Sequence, residues 1–323
     1  MSCDIHVLIP SNNQRDTLLR CLDSLCASHE APRRILVVDD GSRDDTVASV
    51  REHASACEVL ALPENRGFGH TCNAGFQRLD EAGAEWVLLL NQDTLVDPEM
   101  LGALARFADR HPSAGIVGPK TFSFDPMPDG RPRLIYAGSW QGRLPLGQRI
   151  PGIGRAEDDP RSEAARTDYV WGHGMLIRMA ALREVGGFDT EYPMYYEDLD
   201  LCRRMRAAGY EIWCERKAVV WHDQPDGARA VRSEAWRWAC KVRSTGVFHR
   251  KHASRLSAPF FTALTFADDL RRLLMQRHVR AARHLFMAAL RHGLGLSDEL
   301  RPPSARAVTP LDAEQMGPAE ASG

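Results

Sequence analysis

The sequence predicts an α/β fold: a mostly parallel sheet flanked by helices, with a helical C-terminal extension. Three observations carry this. Short, wholly apolar runs such as 35–38 and 86–90 lack the alternation of a half-exposed strand, so they suit strands buried on both faces. Segments with helical spacing separate these runs. Polar clusters stand where the runs end: Ser11-Asn12, Asp39-Asp40 and Asn91-Gln92-Asp93. In open parallel sheets ligands bind outside the carboxyl ends of the strands, so the clusters mark a site.

Taken in order, 5–9 is a first strand ending at Pro10. Asp16 is placed to cap a helix whose Leu18, Leu19, Leu22 and Leu25 share a face. Ile35-Leu36-Val37-Val38 is a second strand, followed by a turn at Asp40-Gly41-Ser42 and a helix from about Asp45. Val59-Leu60 is a third strand, and a helix follows from Gly69 to Ala82. The fourth strand is 86–90. Pro98 suits the first turn of a helix ending near Arg110, and Ile116-Val117 is a fifth strand. From Thr121 to Arg166 the chain is rich in Gly, Pro and Arg and reads as a long irregular insertion over the site. Strand character resumes at 168–170 and 175–177. A helix over 199–208 stops before Gly209, and Ile212-Trp213 and 218–221 are short strands. Beyond Ala228 the pattern is helical. The tail from Arg301 has the composition of a disordered segment. This divides the chain into 1–227, the sheet domain; 228–300, a basic helical extension; and 301–323, the tail.

Of 323 residues, 44% are apolar and 26% charged, the proportions of an ordinary globular protein. The formal net charge of -2 hides an asymmetry. From Arg229 to Arg291 there are 14 Lys or Arg against only Glu234, Asp268 and Asp269. The eight cysteines form no CxxC pair and no zinc spacing. That usage fits a reduced, cytoplasmic setting. No secretory signal and no membrane-spanning run of about 18 apolar residues is expected.

Several of these residues bear chemistry. Asp93 follows an apolar strand, which puts a hard oxygen ligand at the sheet rim where Mg or Mn could be held with substrate phosphate; an Asp there also caps turns. Asp39 or Asp40 could accept the N3–H of a pyrimidine, though Asp-Asp-Gly-Ser is also good turn chemistry. Asn65-Arg66-Gly67-Phe68-Gly69 precedes a helix, where glycines let backbone amides approach a phosphate or base. Glu197-Asp198-Leu199-Asp200 opens another helix. Asp198 is the candidate base, Glu197 its orienter or an acceptor contact, and Asp200 structural, paired with Arg203 or Arg204. His222 ends a strand and could complete a metal site with Asp93. Trp171-Gly172-His173 could form a platform for an acceptor sugar, with Trp171 equally suited to a core.

Together these segments resemble glycosyltransferase family 2, the inverting enzymes of GT-A fold, and within it the bacterial rhamnosyltransferases. The matching segments run in order over about the first two thirds of the chain: Leu8-Ile9-Pro10-Ser11-Asn12-Asn13, Val37-Val38-Asp39-Asp40-Gly41-Ser42, Asn65-Arg66-Gly67-Phe68-Gly69, Leu88-Leu89-Leu90-Asn91-Gln92-Asp93-Thr94, Gly186-Gly187-Phe188-Asp189, Tyr196-Glu197-Asp198-Leu199-Asp200-Leu201-Cys202 and Val220-Trp221-His222. The resemblance implies a Rossmann-like sheet and places Pro10, Asn12, Asp39, Asp40, Asn65, Arg66, Gly67, Asn73, Asn91 and Gln92 around the nucleotide. It implies that Trp171, Gly172, His173 and Glu197 meet the acceptor, that Asp198 is the catalytic base, and that Asp93 with His222 binds a divalent metal, Mg or Mn. The first acidic position of the family's DxD-type motif is here Gln92 or Asn91. His70, Cys72 and His173 also depart from the usual small residues or Asn.

The implied donor is dTDP-L-rhamnose, with a UDP-sugar such as UDP-galactofuranose as the alternative. The implied acceptor is a glycan or lipid-linked glycan of a cell-surface polysaccharide. The basic C-terminal helices are open to three roles: contact with the inner face of the cytoplasmic membrane, packing on the sheet domain, or a contact between copies of the chain. Nucleic acid is not an expected partner. A nucleotidyltransferase would need a Gly-rich basic loop after the first strand, where Ser11-Asn12-Asn13-Gln14-Arg15 stands instead. A non-catalytic scaffold would be favoured only by the missing DxD carboxylate.

Overall fold

The computed structural model describes residues 4–54, 57–127, 129–141, 148–149, 163–222, 233–275 and 277–293. Ten strands form one sheet. Its parallel half is β1 (Ile5–Ser11), β2 (Arg34–Asp39), β3 (Glu58–Ala61) and β4 (Trp86–Leu90), in the order β4-β1-β2-β3. The other half, outward from β4, is β11 (Gly174–Arg178), β6 (Ala114–Ser123), β12 (Glu211–His222) and β10 (Ala165–Arg166). β11 runs antiparallel to both β4 and β6, and β12 is parallel to β6. β5 (Thr94–Val96) joins β12, and β7 (Arg133–Tyr136) joins β6. β8 (Trp140–Gln141) and β9 (Gln148–Arg149) pair separately.

The apolar runs fill both faces, as doubly covered strands must. Leu8, Leu36, Val38, Val87 and Leu89 point to one face, beneath α3 (Phe68–Glu81). Val7, Ile9, Ile35, Val37, Leu88 and Leu90 point to the other, beneath α1 (Arg15–Cys26), α2 (Thr46–Glu52) and α4 (Met100–Arg110). Pro10 is tolerated in β1 because β4 pairs only as far as Leu8, so the missing N–H falls where that neighbour has ended.

Several expectations are corrected. The Gly- and Pro-rich stretch from Thr121 to Arg166 is not one loop: β6 runs on to Ser123, β7 follows, and short β8, β9 and β10 lie within it. Arg133-Leu134-Ile135-Tyr136 is too brief a run to stand out there. Residues 168–170 are irregular, although Tyr169 and Val170 are buried. The two short strands near 212 and 218 are one strand, β12, with a register shift between Glu215 and Val219. Gln14, at φ 63°, holds the N-cap position of α1, and Asp16 sits in its first turn, paired with Arg15. α4 begins at Met100, two residues after Pro98. α5 (Met179–Val185) and β5 carry too few residues to show a period. The expected boundary at 227/228 and the tail 301–323 lie outside the described residues.

The extension is helical: α7 (Glu234–His252), α8 (Ala258–Met275) and α9 (Val279–Gly293). α7 packs on the sheet domain through Val247 and Phe248, which join the core beneath α6 (Glu197–Ala207). His252 Nε2 lies 2.6 Å from Asp200 Oδ1, and Arg204 closes the other side of that carboxylate at 2.7 Å. No disulfide joins any of the seven cysteines among the described residues. No helix among those residues is long and apolar enough to cross a membrane.

Candidate active site

The carboxyl ends of β1, β2 and β4 are tied together by side chains. Gln92 Oε1 accepts from Ser11 Oγ at 2.7 Å and from the Asn12 N–H at 3.1 Å. Asn12 Nδ2 donates to the Asp40 carbonyl at 2.7 Å. Asp39 accepts the N–H of Ser42 at 2.9 Å and also its hydroxyl. Asp40 accepts the N–H groups of Arg66 at 2.8 Å and Gly67 at 3.0 Å, which sets the turn before α3. Both aspartates therefore build turns, and each carboxylate has lone pairs left for one more donor. Gly41 must be glycine: its φ is +66°, and a Cβ there would lie 2.7 Å from the Glu64 backbone. Asn65 is half-buried beside it, and Arg66 is exposed.

Pro10 is a buried strand residue paired with Val38. Asn73 spends its amide on the backbone of Phe188, donating from Nδ2 and accepting at Oδ1, both at 2.8 Å.

Asp93 and His222 are brought together by strand pairing. β5 lies antiparallel to β12 with Thr94 opposite His222. Asp93 Oδ1 then sits 3.2 Å from His222 Nε2. The pair is close but misaligned for a hydrogen bond, and both atoms are buried without a hydrogen-bond partner among the described residues, as are His222 Nδ1 and Asn91 Oδ1. Buried polar atoms are normally satisfied, so this cluster has the character of an incomplete coordination site. It fits a divalent cation held by one hard oxygen and one imidazole, with other positions open to phosphate oxygens and water. No group of three or more His, Cys, Asp or Glu poised to hold a metal occurs among the described residues. The His222 ring stacks on His173, centroids 4.4 Å apart and planes at 12°. His173 Nε2 lies 2.9 Å from Thr121 Oγ1, and burial, then the neighbouring His222, hold its pKa well below the ordinary value. A neutral His173 thus backs His222 besides lining the cavity described below.

The acidic pair stands at the start of α6 after a strained approach. Tyr195 and Tyr196 have φ of 69° and 70°, unusual for aromatic residues and costing on the order of 1–3 kcal/mol each. α7 holds this stretch: Ser244 Oγ donates to the Met194 carbonyl at 2.8 Å, and Phe248 packs on Tyr196 at 5.2 Å. Asp198 accepts the N–H groups of Gly172 at 3.0 Å and Leu199 at 2.8 Å, and Tyr169 bonds to it as well. Burial raises its pKa, and those hydrogen bonds restrain the rise. Burial, then the Asp198 charge, push Glu197 up further, and its Oε2 is buried without a hydrogen-bond partner among the described residues. A carboxyl pair separated in this way offers one ionised member and one neutral member.

Asp198, Glu197, Trp171, Gly172, His173, Asn91 and His222 line one cavity of about 770 Å³. Asp93, in contact with His222, stands at its edge. The cavity therefore brings the buried Asp198 carboxyl and the Asp93–His222 pair to one space.

Residues 6–186 match the model of glycosyl transferase family 2, and residues 161–297 that of glycosyl transferase family group 2. The chain is 30% identical over 276 residues to N-acetylglucosaminyl-diphospho-decaprenol L-rhamnosyltransferase of Mycobacterium tuberculosis, covering 80% of this chain and 89% of that one. This chain belongs to glycosyl transferase family 2. The glycosyltransferase is also 25% identical over 237 residues to the poly-beta-1,6-N-acetyl-D-glucosamine synthase of Staphylococcus epidermidis, where it spans 53% of the longer protein. Its fold is that of GT-A enzymes. It superposes on a mannosyltransferase, PcManGT from Pyrobaculum calidifontis, in complex with GDP-Man and Mn2+, at a TM-score of 0.57 with 16% identity, over 91% of this chain and 88% of that one. GalNAc-T7 with UDP, GalNAc and Mn2+ aligns at 0.59 with 15% identity, over 76% and 48%.

Tyr169 and the cavity-lining residues of α7 and α8 escaped sequence reasoning. Tyr169 gives no periodic signal. Arg237 and Trp238 had one, a Trp-rich stretch in a basic helix, but nothing in the sequence aimed it at the site.

Folded Glu197 keeps its proton where the unfolded chain has lost it, so the stability it lends is full below the ordinary value of 4.5 and is lost as pH rises toward about 8. Glu197→Gln should therefore match the parent's Tm near about pH 5 and exceed it near about pH 9, by thermal unfolding at both. A gap that does not widen with pH would show that the buried carboxyl titrates normally.

Proposed function

We propose that this family 2 glycosyltransferase is inverting and metal-dependent, and that it transfers L-rhamnose from dTDP-rhamnose to a lipid-linked glycan in the assembly of a cell-surface polysaccharide. The observation that carries the mechanism is the convergence of Asp198 with the Asp93–His222 pair on one cavity. The sugar is supported by the mycobacterial relative, whose name also supplies a diphospho-lipid acceptor.

In this mechanism the donor's nucleoside rests on the turns built by Asp39, Asp40 and residues 65–67. Asp198 takes the proton of the acceptor hydroxyl. The oxygen then attacks the anomeric carbon from the face opposite the diphosphate, which leaves with its bonding electrons, and the product anomer is inverted. Burial makes Asp198 a stronger base than an exposed aspartate, and its bonds to Gly172, Leu199 and Tyr169 fix its aim. Glu197, neutral beside it, adds no second charge to repel the first. Mg or Mn on Asp93 and His222 would neutralise charge on the departing diphosphate.

The extension supplies a route to a lipid-linked acceptor in the cytoplasm. Apart from Tyr195, the exposed large apolar side chains among the described residues all lie between Leu256 and Leu290. On α9, Val279, Phe286 and Leu290 share a stripe with Arg283 and are bordered on one side by Arg280 and Arg291. An apolar stripe edged by arginines matches an anionic lipid surface. A two-fold contact between copies would set arginine against arginine.

Asp198→Asn should lower transfer by about 10²–10⁴-fold with donor binding retained, in an assay of nucleoside diphosphate release; undiminished turnover would remove Asp198 as the base. Chelation should abolish transfer, and Mg or Mn should restore it; full activity in chelator would end the metal assignment. The protein should sediment with vesicles containing anionic lipid, less so at high salt or after Phe286→Glu, and should leave zwitterionic vesicles unbound. Equal binding to both kinds would exclude the charge-matched surface.

A further inference from the structure

The active-site cavity has a second wall that the catalytic chemistry does not use. It is made by α7 and α8, and its charged members are Glu234, Arg237, Lys241, Asp268, Asp269 and Arg272. Most of these are already compensated. Lys241 Nζ is 2.8 Å from Asp269, and Arg272 is 2.8 Å from Asp268. Glu234 faces Arg280 at 3.8 Å. Arg237 differs: no carboxylate lies within ion-pair distance of it among the described residues, and its Nε is buried with no hydrogen-bond partner there. The residue is half-buried, in the first turn of α7, whose amide ends favour negative charge.

A half-buried guanidinium with one nitrogen cut off from water and no carboxylate beside it among the described residues is free to pair with a ligand anion. The donor's own diphosphate does not account for it, because that group belongs at Asp93 and His222, on the sheet side of the cavity. Arg237 stands instead on the helical wall, beyond Tyr195, whose phenol feels its charge. Trp238 and Tyr195 line the same wall and supply flat apolar faces of the kind that pack on sugar rings.

We propose that Arg237 binds an anionic group of the acceptor, a phosphate or diphosphate joining the acceptor glycan to its lipid, and so selects charged acceptors over neutral ones. This rests on the transferase function proposed above. It adds a specificity residue on the C-terminal helices, at a position outside the motifs of the sheet domain. A planar, five-donor guanidinium suits the paired oxygens of a diphosphate better than an ammonium would.

The test uses the full chain with three acceptors carrying the same sugar: a short prenyl diphosphate glycoside, a neutral alkyl glycoside, and one bearing a carboxylate in place of the diphosphate. Arg237→Ala should raise KM for the diphosphate acceptor by about 10- to 100-fold, leaving kcat, donor KM and the neutral acceptor unchanged. Arg237→Lys should recover part of the loss. A matching loss with the carboxylate acceptor would assign the site to anions in general, and no loss there would assign it to phosphate. An independent arm titrates an alkyl diphosphate into the protein with its donor site filled by nucleoside diphosphate, where Arg237→Ala should weaken binding by a similar factor. Unchanged KM and unchanged alkyl diphosphate binding in an Arg237→Ala protein of normal Tm would overturn the proposal. Failure of the parent protein to bind any nucleoside diphosphate would instead overturn the transferase function itself.

Discussion

The site depends on one strand pairing. β5 is only three residues long, yet its register against β12 sets Thr94 opposite His222, and Asp93 follows from that by adjacency. A slip by one residue would turn every side chain of β5 to the other face of the sheet. Thr94 secures the register from within: its hydroxyl donates to the Asn91 carbonyl at 2.7 Å, and its side chain is fully buried. The loop from Asn91 to Asp93 thus joins β4 to β5 beside His222, and Asn91 Oδ1 and Asp93 Oδ1 are buried there without a hydrogen-bond partner among the described residues.

The second half of the chemistry is held by different means. Asp198 gains its position from a strained backbone and from donors on a separate segment, Tyr169 to Gly172. Gly172 approaches closely, with Phe68 and the Asp198 side chain both near where its Cβ would be. The segment from Tyr169 to His173 links the two halves: Gly172 donates to Asp198, and the next residue, His173, stacks on His222.

Much of this was legible in the sequence, for identifiable reasons. Continuous apolar runs cannot be anything but doubly buried in a chain of this kind, so β1, β2 and β4 and the polar residues at their ends were readable. The Asp198 and His222 segments were found because charged and imidazole groups at element ends stand out against apolar neighbours. What could not be read were features set by distant partners. Asn73 looks like any pocket amide until Phe188 is folded against it. β7 and β10 are strands because β6 and β12 present free edges, and their own residues carry little preference. The wall formed by α7 and α8 depends on how an otherwise ordinary basic helix docks.

That docking has a mechanical consequence. Ser244 and Phe248 of α7 grip Met194 and Tyr196, and His252 of the same helix grips Asp200 in the helix that bears Asp198. α7 is thus bolted both to the turn that opens α6 and to the helix that carries Asp198, so a displacement of the extension would be carried to that carboxyl through three side-chain anchors.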